Sequence, residues 1–148
     1  MPHAGLMDER SLGPVEGPLL RARLHIRGAK RRLRQGKTAA GIVTLADALN
    51  GAMLWYVASP ELRAGLVIRP GDDLNDDRAL YRVLVRSGVL DGAFDYDAFD
   101  RIVEQALAGE LPGYDHRALL AGFEQVMLRL GVMPFDEAAL PPEDPSTY

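Results

Sequence analysis

A chain of 148 residues without a single cysteine excludes disulfides, thiolate metal sites and cysteine nucleophiles. Its 47% apolar and 26% charged content is that of one globular domain able to bury its own core. The net charge of −4 is uneven, with nine Lys/Arg against three Asp/Glu in residues 1–40 and eight against eighteen in residues 41–148, a split that bears on surfaces and association, not on fold.

Residues 1–17 are broken by Gly and Pro without a sustained period and are expected to form a flexible arm. The start at Met1-Pro2-His3-Ala4-Gly5 has no basic stretch followed by an apolar core, so no signal peptide is expected. No apolar run approaches the ~20 residues of a membrane span, and a cytoplasmic location without membrane attachment is the expectation.

Periodicity predicts a first helix from Pro18, a residue favoured at the first helical position. At 100° per residue, Leu19, Ala22, Ile26, Ala29 and Leu33 share one face. Arg23, Arg27, Lys30, Arg31 and Arg34 form a basic stripe beside it, and Leu20 and Leu24 lie on the far side, so the helix is expected to be covered on two faces. Gly36 ends it.

A second helix is predicted from Lys37 or Thr38 to Ala58. Ala39, Ile42, Val43, Ala46, Leu49, Met53 and Tyr56, widened by Leu45, Ala48, Ala52 and Trp55, leave it apolar over most of its circumference, the mark of a central helix. Gly41 and Gly51 each cost about 1 kcal/mol in a helix interior, and a closely approaching neighbour is the expected compensation. The short connection makes the two helices antiparallel neighbours.

Ser59-Pro60-Glu61 starts a short turn, and Gly65–Arg69 is the one β-like segment, without a partner strand. A third helix follows the acidic loop 72–77 with Asn75 as the expected N-cap. Asp95 caps the next, with Phe94 and Phe99 at hydrophobic-staple spacing. Asp115 is expected to cap the last, with Tyr114 and Leu119 in the same relation, and Gly131 ends it. The domain is thus expected to span residues 18–133, an all-α compact bundle of about five helices, followed by a Pro-rich, acidic tail over 134–148 that is extended or disordered.

Few residues suggest chemistry. Counted from Asp73, the places where a calcium-binding loop needs Gly and Glu hold Arg78 and Leu84. His3, His25 and His116 give no paired ligand spacing, and no phosphate loop, dinucleotide fingerprint or nucleophile elbow is present. No cofactor or metal is expected. The basic stripe can meet an acidic surface or the phosphates of nucleic acid. It lacks the interleaved aromatic residues that stack bases. Trp55 and Tyr56 suit core, pocket or interface, but no nucleophile–base pair accompanies them.

The segment Arg32-Leu33-Arg34-Gln35-Gly36-Lys37, followed by Ala39, Ala48, Ala52 and Pro60, resembles the helical hairpin of tetratricopeptide units, with Gly36, Ala48 and Pro60 at matching spacing. It is also similar to the core hairpin of the HEPN superfamily. No second copy of a ~34-residue repeat is found, which argues against a tetratricopeptide array. Active HEPN ribonucleases carry an Arg–His pair at a spacing that Arg21 and His25, separated by three residues, do not meet. The resemblance implies a non-catalytic member. The sequence thus predicts a non-enzymatic protein-interaction or regulatory module, a homodimer or a binder of a protein partner. Its stripe would carry the contact, with Leu20, Leu24, Trp55 and Tyr56 as the candidates for an interface or a pocket, and nucleic-acid (RNA) binding through the stripe is the alternative.

Overall fold

The computed structural model describes residues 12–147, and among them the fold is all-α without a strand. Six helices follow in order: α1 Gly13–Arg34, α2 Thr38–Ala58, the single turn α3 Pro60–Arg63, α4 Asp77–Arg86, α5 Tyr96–Ala108 and α6 Arg117–Leu130. α1 and α2 form the antiparallel hairpin, and α2 is the central helix, touching α1, α4, α5 and α6.

Two glycines of α2 bring its backbone against α1. A Cβ on Gly41 would stand 2.6 Å from Leu33 Cδ2, and one on Gly51 would stand 3.0 Å from the Pro18 carbonyl oxygen. Ala22, Ile26, Ala29 and Leu33 of α1 then pack with Ile42, Leu45, Leu49 and Met53. Leu80, Leu84, Phe99, Phe123 and Met127 complete the core from the later helices. By length and composition α2 is apolar enough to cross a membrane, contrary to the expectation from its interrupted apolar run; half of that stretch is buried inside the protein, as the core helix.

Several boundaries move. α1 begins at Gly13, and Pro14, not Pro18, occupies the first turn where a missing amide has no partner to lose. Pro18 lies within the helix, at the loss of one backbone bond to Pro14. The boundary expected at residue 18 therefore falls inside a helix, and residues 1–11 of the expected arm lie outside the described residues. Asp76, rather than Asn75, caps α4 by accepting from the Ala79 N–H at 3.0 Å. His116 takes the cap position of α6, while Asp115 accepts from the Arg117 N–H. Asp95 caps α5, and the Phe94 and Phe99 rings meet at 5.4 Å. The β-like segment stays irregular because Ser87 Oγ accepts from the Val67 N–H and Arg86 donates to the Val67 carbonyl.

The tail differs most from expectation. Gly131 turns left-handed at φ 88°, Val132 is fully buried, and the chain returns along α1 with one-turn helices at Glu137–Ala139 and Pro145–Thr147. Residues 132–147 form a strap on the domain, not a free extension.

Candidate functional site

The row Arg23, Arg27 and Arg31 spaces three guanidinium groups one helical turn apart on α1. They meet successive points of the strap, which runs in the same direction. Arg23 Nε donates to the Val132 carbonyl at 3.1 Å, and its guanidinium lies 5.5 Å from the centre of the Phe135 ring. Arg27 Nη2 donates to the Pro141 carbonyl at 2.6 Å. Arg31 Nε donates to Glu143 Oε2 at 2.7 Å, and the other oxygen of the same carboxylate is 3.6 Å from Arg27 Nε. Glu143 retains only 8% side-chain exposure. Proline imposes an extended course and offers only its carbonyl for hydrogen bonding, which suits a groove whose groups are all donors.

Lys30 pairs with Glu124 of α6 at 3.6 Å, and Arg34 is exposed at the end of α1. The stripe expected to face solvent or a partner is thus largely engaged within the chain, by the acidic residues of its own C-terminal part. Leu20 lines a cleft of about 510 Å³ with Leu12, Leu19, Ala139, Leu140 and Pro141. Leu24, expected at an interface, is 1% exposed and stands apart from the main core cluster. It lies between Arg23 and Arg27, both gripping the strap, so the strap side of α1 is its second covered face.

Trp55 and Tyr56 pack edge to face at 6.2 Å, half-buried on the rim of the core. The Trp55 ring borders Gly131, where a Cβ would lie 3.6 Å from Cη2. His25 is buried; its Nδ1 donates to the Arg21 carbonyl at 3.0 Å, because that oxygen can only accept.

Arg21, outside the predicted stripe, joins three helices. Its Nη2 donates to Asn50 Oδ1 at 2.6 Å, and Asn50 Nδ2 donates to Asp77 Oδ1 at 2.8 Å, tying α1, α2 and α4 together. Burial pushes the Asp47 carboxyl upward, against the pull of Arg21. Acidic side chains of the 72–77 loop and of α5 are spent on the fold: Asp72 pairs with Arg86, and Asp97 and Asp100 both pair with Arg78. Among the described residues no group of three or more His, Asp or Glu could hold a metal ion.

A second concavity was not foreseen either. Tyr81, Leu90, Phe94 and Val126 line a cavity of about 220 Å³ with Asp91, Gln125 and Arg129. Arg129 and Asp91 pair across 3.0 Å. An open groove lined by Arg78, Arg82 and Tyr96 continues from it past Phe94.

Comparison with models of known protein families, with curated proteins and with solved structures finds no match to this chain.

Proposed function

We propose that this protein is a non-catalytic protein-association module whose recognition face is the arginine row of α1. Its ligand is an extended, acidic, proline-containing peptide segment. The observation that carries the reading is the grip of Arg27 and Arg31 on Glu143 and on the Pro141 carbonyl. The row holds its own strap by charge-assisted bonds, the stronger class of hydrogen bond, and by a backbone carbonyl that any extended peptide offers. The strap is the resident occupant of a peptide-holding groove. A relation to non-catalytic HEPN-like hairpins belongs to the same proposal and rests on the α1–α2 hairpin.

The engagement of Arg23, Arg27, Lys30 and Arg31 favours protein over nucleic acid, because phosphate binding needs those cations available.

The test uses the full chain carrying Glu143→Gln, which weakens the strap's own hold, and a labelled peptide with the sequence of residues 134–146. Fluorescence anisotropy is expected to register binding by this variant and its loss when Arg31→Glu is added. Binding should weaken as salt rises, since salt screens the charges that the free peptide and the vacated groove present to each other. A folded Glu143→Gln protein that ignores the peptide at every salt concentration sinks the reading. Retention of a random oligonucleotide instead would move the assignment to nucleic acid.

A further inference from the structure

We propose that the acidic partner of the α1 groove is the strap of a second copy. Two chains then exchange residues 140–146 reciprocally and pair as a twofold-symmetric homodimer. This rests on the association reading above and names its partner.

The strap divides into a fixed root, a hinge and a gripping end. Val132 is the root: it is fully buried, and its N–H returns to the Met127 carbonyl at 3.0 Å. Residues 136–139 are all exposed and form the hinge. Leu140, Pro141 and Glu143 are the gripping end, in the cleft and on the arginines. Stretched out, the four hinge residues 136–139 reach about 13 Å. Packed helices lie only about 8–10 Å apart, so the gripping end can reach the α1 of a neighbouring copy without disturbing its root.

Exchange keeps the grip of residues 140–146 on the arginines and replaces closure of one loop by association of two, the low-cost route to a dimer. Charge supports it in both directions. Residues 134–146 hold four carboxylates and no Lys or Arg, whereas α1 holds seven Lys/Arg against Glu16 alone. Each copy therefore offers both halves of the contact, as a twofold interface requires. The strap in its own chain leaves the cleft at Leu12, Leu19 and Leu20 open, with Leu12 40% exposed. A second copy would cover this apolar surface. Closure within one chain holds the strap at an effective concentration on the order of millimolar, so monomers prevail in dilute solution.

Complementing charge reversals give the test. In Arg31→Glu the groove repels its own strap, and in Glu143→Arg the strap is repelled by its own groove. Mixed, each strap finds its complement only on the other chain. Light scattering after size exclusion is expected to show each variant alone as a monomer and the mixture at twice that mass. Tagged Arg31→Glu should capture untagged Glu143→Arg. The double variant Arg31→Glu/Glu143→Arg, whose pairing is restored within one chain, reports that both substitutions are compatible with folding. A second construction, deletion of Ala138 and Ala139, shortens the hinge against closure and is expected to yield dimers by itself. Monomers in the mixture and in the deletion variant would overturn the exchange. If Glu143→Arg still binds the free acidic peptide in that case, the association reading survives alone; if it does not, both fall.

Discussion

Arg31 Nε donates to Glu143 Oε2 at 2.7 Å, joining the end of the first helix to a carboxylate 112 positions later. The same carboxylate faces Arg27 at 3.6 Å, and all three side chains are mostly covered. Removing the negative charge leaves two guanidinium groups partly desolvated without their counter-ion. Glu143→Gln is therefore expected to lower stability by about 1–3 kcal/mol, read by urea unfolding, and to speed hydrogen exchange selectively in residues 136–146. Unchanged exchange in that segment would show that the carboxylate does not hold the strap.

The hairpin depends on close approach. At Gly51 the atoms that a Cβ would meet include the Pro18 carbonyl at 3.0 Å and the Ala22 amide nitrogen at 3.2 Å. Both belong to a helix backbone, which cannot give way locally. Overpacking of a fitted core costs about 1–3 kcal/mol, against about 1 kcal/mol returned by the helix propensity of alanine. Gly51→Ala is expected to be net destabilising in chemical denaturation. A gain in stability would mean that α1 and α2 separate freely at this level.

Acid reaches Asp72 late. The side-chain bond from Arg86, then the backbone N–H of Arg69, holds its carboxyl at about 2 against an ordinary 3.8. A lowered folded-state value stabilises the fold above the unfolded value and loses that contribution as pH falls, here from about 3.8 through about 2. Asp72→Asn should remove this part of the acid limb of a stability–pH profile and leave the neutral range flat; an unaltered acid limb would assign it to other carboxylates.

Base acts on two tyrosines. Burial, followed by nearby carboxylates, pushes Tyr81 and Tyr96 from 10 up to about 12. A raised value stabilises the fold below the unfolded value and is lost as pH rises through the folded one, so this contribution should fade between 10 and 12. Tyrosinate absorbance of the folded protein is expected to lag behind that of the urea-unfolded chain over this interval. Coincident titrations would contradict the burial of both rings.

The sequence made the hairpin legible because its signals are local and mutually consistent: Gly36 at the turn, apolar period in α2, and Gly41 and Gly51 where backbones meet. The Phe94–Asp95–Phe99 start of α5 was legible for the same reason. The caps expected at Asn75 and Asp115 each fall one residue later, at Asp76 and His116, because the path of the loop sets where the helix begins. The strap was not legible. Its acidic, proline-rich composition reads as unstructured, and its order comes from arginines more than a hundred positions away. The cavity at Phe94 was hidden likewise, since Tyr81, Phe94 and Val126 belong to segments that meet only in the fold.

Gly122 tests whether a tight glycine is costly by itself. A Cβ there would approach Phe94 Cδ1 to 3.2 Å, as close as some contacts at Gly51. The neighbour is a half-buried ring beside a cavity of about 220 Å³, not a helix backbone. The ring can move a few tenths of an ångström into that space, whereas the Pro18 carbonyl cannot move without α1. Gly122 lies inside α6, where alanine returns about 1 kcal/mol of helix propensity. Gly122→Ala is thus expected to leave stability unchanged or raise it, while Phe94→Ala costs about 1–3 kcal/mol through lost contact with Phe99 and Tyr81. Thermal and urea unfolding of these two variants beside Gly51→Ala decides the matter. A loss in Gly122→Ala equal to that in Gly51→Ala would show that Phe94 is fixed as firmly as the backbone, and that the cavity beside it gives the ring no freedom.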